Sequence, residues 1–312
     1  MRSDQSQGIR NPFAAAHLRK FMSIVLTVCM ILTIMPVNYA AAATVTETKN
    51  VTSADVTISD ASKNYIITGG TSETPAKHSV VVSPNLGTVN ITLKDVNIAF
   101  DTTPVGCAFS IGAGTTVNLT LSGNSVLTSN GTFAGLHVPE GAVLNITAPD
   151  TNSTLGATGN GSGAGIGGNS GESCGKVTIS NGTVNGAGVT AAGIGGGKNG
   201  GAGELTITGG RVSGLTCTDG VSDIGCGQGG SGGRVTVSGG FVHAARNLMI
   251  GGTGTVNTFT GGSICANTVT PTPTDGTQNV YRTQIELPSA DNNTVITYKV
   301  GNGSTCSADA GT

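Results

Sequence analysis

The chain has 312 residues, a formal net charge of −2 and only 10% charged side chains, with 51 glycines and no tryptophan. So little charge excludes a disordered polyelectrolyte, the lack of a strict glycine triplet excludes collagen, and the slight acidity offers nothing to a nucleic-acid backbone. Aliphatic residues in short strands suit this composition better than a bulky aromatic core.

Residues 1–43 differ from the rest. Arg2, Arg10, Arg19 and Lys20 make a basic start, 21–35 is apolar, and 36–43 ends in small residues. That order predicts a secretory signal peptide cleaved near Ala42/Ala43 and a secreted or cell-surface product. A membrane helix is the competing reading, but an apolar core of about 15 residues is short for a span. No span is expected after the signal is removed. Taking away those four basic residues and Asp4 leaves 11 basic and 16 acidic side chains, a net charge of −5. Six cysteines remain: Cys107, Cys174, Cys217, Cys226, Cys265 and Cys306. Without a CxxC pair they do not predict a zinc site. In an exported chain they are able to form disulfides, whose connectivity the spacing leaves open.

After a lead-in at 44–64, strand-like runs begin at 65–67 and 80–82. From residue 89 the chain aligns with itself in columns, most plainly at GAGIGGNSGESCGKVTISNGTV (163–184), AAGIGGGKNGGAGELTITGGRV (191–212) and SDIGCGQGGSGGRVTVSGGFV (222–242). The central Ile166, Ile194 and Ile224 are 28 and 30 residues apart. Self-similarity at such a period marks a stacked-repeat protein.

One column reads Val89, Val117, Leu144, Val177, Leu205, Val235. Two residues on it reads Ile91, Leu119, Ile146, Ile179, Ile207, Val237. Period-two alternation turns these inward. Outward between them lie Asn90, Asn118, Asn145, Thr178, Thr206 and Thr236, followed by Thr92, Thr120, Thr147, Ser180, Thr208 and Ser238. A second strand precedes each of these, with inward Cys107/Phe109/Ile111, Ala134/Leu136/Val138, Ala164/Ile166, Ala192/Ile194 and Ser222/Ile224. A third follows, marked by Val96, Val126, Val184, Val212, Val242 and Ile264.

Three strands per coil of 27–33 residues predict an all-β fold, a right-handed parallel β-helix of about seven coils. An antiparallel sandwich would not demand the same residue type at each coil position. The β-helix is expected over 44–266, with 44–82 and the region after 266 covering its ends against edge association. A shorter last coil places Thr258 and Thr260 outward and Phe259 inward. The prolines of 267–278 then read as a linker. Residues 279–312 read as a partial β module with strands at 280–287 and 294–300.

GAGIGG (163–168) and GCGQGG (225–230) fit a dinucleotide-binding pattern, but the glycines recur in every coil and no helical period follows. They read instead as turns and sites of close coil approach. Of His78, His137 and His243, the last two face outward on different strands with no nucleophile paired to them. Glu140, Glu172 and Glu204 stand singly in turns. Asp219 and Asp223 are the nearest acidic pair and the only metal candidates, weakly suited to Ca²⁺ among corner carboxylates such as Asp101 and Asp150. No catalytic residue is assigned and no cofactor is expected beyond such a calcium ion. Cys107 and Cys226 fall in inward columns and Cys265 outward.

The phrase (A)GIGGG…G-x-(L/V)TI(T/S)GG-x-V across 89–266 resembles the glycine-rich repeats of bacterial secreted and cell-surface β-helix proteins. The segment YIITGG…VNITLKDVNI (65–98) is similar to the opening coils of carbohydrate-binding domains. That resemblance implies a non-catalytic protein that binds polysaccharide or cell-wall glycan, or acts as an adhesin. It also implies acidic polysaccharide and calcium as partners, although this chain has few corner carboxylates. The expected glycan-facing residues are the twelve of the outward Asn, Thr and Ser columns. Those columns contain no aromatic platform for a sugar ring, and stacked side chains bonding to one another explain much of the pattern. A polysaccharide lyase or hydrolase and a purely structural stalk are the alternatives. A carboxylate cluster in one groove would favour the enzyme.

Overall fold

The computed structural model describes residues 45–100, 106–247, 249–266 and 268–270, and the strands Val295–Lys299 and Thr305–Asp309. The expected signal peptide, Asp101, most of the expected linker and the strand expected at 280–287 lie outside the described residues. Among those described there is no helix, and parallel strands stack as a β-solenoid of about seven turns.

Each coil contributes to three faces. The leading face is a nine-stranded parallel sheet running from Val56–Ile58 through Phe109–Ile111, Leu136–His137, Ile166–Gly167, Ile194–Gly195 and Ile224–Gly225 to Thr268–Thr270. The central face runs from Thr46–Asn50 and Asn64–Gly69 through Thr115–Ser122, Val143–Thr147, Lys176–Ile179 and Glu204–Ile207. The trailing face includes Asn124–Gly131, Thr154–Gly161, Thr183–Gly188 and Arg211–Thr216. Three long strands, Gly87–Ala99, Arg234–Ala244 and Val256–Cys265, bend and pair on both of the last two faces, joining them into one sheet. In the C-terminal segment, Val295–Lys299 pairs antiparallel with Thr305–Asp309.

The central columns stack as the alternation predicts. Val89 pairs with Val117, Val117 with Leu144, Leu144 with Val177, Val177 with Leu205 and Leu205 with Val235, all essentially fully buried. Parallel pairing also reaches further at both ends than the columns indicate. Thr46–Asn50 pairs with Asn64–Gly69, and Thr268–Thr270 with Met249–Gly251. The residues expected to close the N-terminal end are themselves coils. In the last full coil Phe259 pairs with Val237 as expected, while Asn257 takes the inward place opposite Val235.

The trailing face corrects one assignment. Leu155 pairs with both Ser125 and Val184, so Ser125 and Leu155 occupy the inward column and Val126 does not. Val126 is 41% exposed, whereas Leu127 beside it is fully buried. A slip of one residue turns every side chain of a strand to the other face, and the Val-Leu pair reads equally well in either phase.

Glycine determines how closely the faces approach. The residue after each central isoleucine, Gly167, Gly195 or Gly225, has φ of 137°, 137° or 142°, and a Cβ on any of them would fall 1.9 Å from a carbonyl oxygen of the next coil. Inside, a Cβ on Gly186 would meet Gly193 O at 2.2 Å and Ile194 Cγ1 at 2.6 Å. The leading and trailing faces nearly touch there. Their shared column accordingly shrinks from Ile98 and Leu127 to Ala157, Gly186 and Gly214.

Two contrasts follow. Leu127→Ala leaves a cavity and is expected to cost about 2–5 kcal/mol, while Val126→Ala stays within about 0.5 kcal/mol, both read from urea midpoints. Gly195→Ala is expected to lower the midpoint sharply, since φ strain alone costs about 1–3 kcal/mol. Gly156→Ala, whose Cβ would have 4.0 Å of clearance, is expected to be tolerated.

Candidate functional site

The central face displays the expected polar strip, and all twelve residues of its two columns keep surface in water. The amides form a ladder. Asn90 Nδ2 donates to Asn64 Oδ1 at 3.1 Å, Asn118 to Asn90 at 3.0 Å and Asn145 to Asn118 at 2.9 Å. Asn64, placed opposite Asn90 by the strand register, extends the column beyond its expected start. An amide inside the ladder spends one N–H and one lone pair on its neighbours and keeps one of each for an outside partner. Two hydroxyls are turned to the scaffold, with Ser180 Oγ donating to Ile146 O at 3.2 Å and Thr208 Oγ1 to Ile179 O at 3.4 Å. A shallow groove of about 370 Å³ runs over Thr46, Asn64, Asn90, Thr92, Asn118 and Thr120.

The trailing face carries an aromatic platform that the strip lacks. Arg211 pairs in register with Phe241, and Ser213 with His243. The Arg211 guanidinium lies 5.1 Å from the Phe241 ring centre, and the Phe241 and His243 rings are 6.4 Å apart. With Thr183, Asn185 and Ser213 they line a groove of about 270 Å³. The signal was present in the outward positions of the third strand, one residue on either side of Val242, but Arg211 and Phe241 become neighbours only through the coil register.

On the leading face His137 has partners, contrary to the expectation that no nucleophile faces it. The register stacks Ser110 on His137, and Ser110 Oγ lies 3.1 Å from His137 Nδ1. On the other side His137 Nε2 lies 2.7 Å from Glu172 Oε2, which also accepts the Asn169 N–H at 3.3 Å. Glu172 therefore does not stand singly. Its separations of 35 and 62 positions from His137 and Ser110 hide the group in a linear reading. His78 sits apart, with Nδ1 3.5 Å from Asp55.

Asp219 and Asp223 are not brought together as ligands. Asp219 is exposed and pairs with Arg246 at 3.7 Å. Asp223 is turned inward, accepting the Thr216 N–H at 2.9 Å and the Met249 N–H at 3.4 Å. Glu204 bonds Lys176 on the neighbouring coil at 2.9 Å, and with Glu140 lines a corner groove of about 420 Å³. Among the described residues no three His, Cys, Asp or Glu side chains converge as a metal site. The Cys107 thiol shares its single proton between Phe109 O and Ala134 O, each 3.1 Å from Sγ, and burial pushes its pKa up to about 12. Burial does the same to Cys174, up to about 12, and raises Cys226. These three are protonated packing residues at neutral pH, and none is joined in a disulfide. Cys265 is half-buried in the outward column beside His243.

The chain matches no protein-family model, no curated protein and no solved structure. No helix among the described residues is long and apolar enough to cross a membrane.

Burial raises the Asp223 carboxyl above its ordinary value despite the amide bonds that lower it. A group whose folded pKa is raised binds protons more readily in the folded state, so its contribution to stability grows as pH falls towards the unfolded value. The stability of the native protein relative to Asp223→Asn is therefore expected to increase between pH 7 and pH 4, measured as the difference in urea midpoints. An unchanged difference would mean that burial and the amide bonds cancel, and a decreasing one that the amide bonds outweigh burial.

Proposed function

We propose that the chain is an exported, cell-surface or secreted solenoid that binds polysaccharide, with adhesion as the outcome of that binding. The observation that carries this reading is the groove around Arg211, Phe241 and His243. Phe241, with the Arg211 guanidinium over one face of its ring, offers apolar surface to the C–H groups of a sugar, while Arg211, Asn185, Ser213 and Thr183 surround it with donors and acceptors for sugar hydroxyls. An aromatic surface with convergent polar groups is the usual composition of a ligand groove. The Asn ladder on the adjoining face adds a flat polar array with unused hydrogen-bonding capacity. Export rests on the basic, apolar and small-residue order of residues 1–43.

At this groove binding is favoured over chain cleavage, because hydrolysis of a glycosidic bond uses a pair of carboxylates and none lines it among the described residues. The two that share the corner groove are Glu140 and Glu204, the latter tied to Lys176. A structural stalk is the second reading, supported by the ladder, whose amides bond to each other from coil to coil. A glycan array probed with the mature protein, with and without calcium, distinguishes the two. Binding is expected to fall about tenfold in Phe241→Ala, equivalent to about 1.4 kcal/mol, and less in Asn118→Ala. Failure of the intact protein to bind any glycan leaves the stalk, and release of sugars from a bound polysaccharide overturns the preference for binding over chain cleavage.

A further inference from the structure

The leading face holds a hydrogen-bonded chain of a hydroxyl, an imidazole and a carboxylate that glycan binding does not use. For the neutral imidazole its geometry assigns the proton positions. The Glu172 carboxylate has only acceptors, so the bond of 2.7 Å places the imidazole proton on Nε2. Nδ1 then carries the lone pair and accepts the Ser110 hydroxyl at 3.1 Å. The roles are those of a base that withdraws the proton of a serine while a third group holds the base in one tautomer, with the two ring nitrogens exchanged relative to the Ser-His-Asp template.

The surroundings preserve that arrangement. The His137 side chain is only 12% exposed, and Glu172 is held from behind by the Asn169 N–H. The next coil places Gly167, which has no side chain, opposite His137 in the same column. On the far side of Ser110 the column continues to Val81, an outward apolar side chain 38% exposed. The hydroxyl therefore stands between a base and a small apolar surface.

We propose that Ser110, His137 and Glu172 form an acyl-transfer site for esters of small acyl groups. Ser110 is the nucleophile, His137 the general base and Glu172 a positioning residue. Ser110 Oγ bonds to the acyl carbon as its proton passes to His137 Nδ1. The ester C–O bond breaks and the departing alcohol takes that proton. Water, deprotonated by the same Nδ1, then releases the carboxylic acid and restores the serine. The acyl group rests against Val81, whose limited surface favours an acetyl over a long chain. The three side chains themselves include no donor pair aimed at the developing oxyanion. Each such donor is worth about 10²–10³ in rate, so the covalent step is the one to read.

The test treats the full chain with a fluorophosphonate probe and, separately, with p-nitrophenyl acetate, and maps the adduct by peptide mass spectrometry. A single adduct on Ser110 is expected, absent in Ser110→Ala. His137→Ala is expected to slow labelling about 100-fold, within the usual range for a general base, and Glu172→Gln several-fold. Unchanged circular dichroism and urea midpoints certify that each variant is folded. If His137→Ala does not fold, Glu172→Gln, altered at a half-exposed side chain, decides. No adduct on Ser110, equal labelling of other serines, or undiminished labelling in the folded variants overturns the proposal and leaves a tie between coils. Because the probes carry no sugar, this outcome is independent of the glycan array.

Discussion

Each coil of this protein is held to the next by a parallel ladder in which equivalent positions stand about 4.8 Å apart, and everything else accommodates that contact. A single coil cannot enclose its own apolar side, so the inward columns gain their burial only by stacking. The approach also dictates backbone composition. At Gly167, Gly195 and Gly225 the chain needs φ near 140° and brings its own atoms against the carbonyl of the following coil. A side chain there would meet backbone rather than a movable neighbour, so the glycines follow from the stacking.

The interior is correspondingly uneven. Phe100 and Phe109 are buried in the early coils, where Ile98 and Leu127 fill the trailing column. Further along, the column falls to alanine and glycine, and the isoleucine of each leading strand takes up the remaining space. Large and small residues trade places across the faces, as close packing requires.

How much was legible depended on whether a position repeats. The central columns and the isoleucines of the leading face announce themselves because the same residue class returns at each coil. Thr154–Gly161 does not, since a strand written Thr-Leu-Gly-Ala-Thr-Gly-Asn-Gly has little apolar alternation and offers only Leu155 and Ala157 as inward apolar side chains. It forms because neighbouring strands leave it only one way to pair. The same weakness permitted the one-residue slip at Val126. Asn64 was hidden for another reason: the chain bulges between Ile67 and Gly69, which blurs the alignment of its coil. The side-chain groups on the outer surface were least legible, because Ser110, His137 and Glu172 belong to three different coils.

That last difficulty follows from the construction of the fold. A solenoid places residues about one coil apart in sequence next to one another in space, so its inner wall is built by repetition. The same law acts on the outer wall, where repetition gives ladders such as the asparagines, bonded mainly to themselves. Chemistry that differs from the scaffold requires the repeat to be broken: serine, then histidine, then glycine down one outward column, or threonine, arginine and phenylalanine down another. The inward neighbours of both groups, Phe109, Leu136 and Ile166 in one case and Val184, Val212 and Val242 in the other, remain in regular columns. Rigid, in-register inner positions therefore hold unlike outer side chains at fixed spacing, and places where the outer pattern departs from an intact inner one are where this fold can support a site.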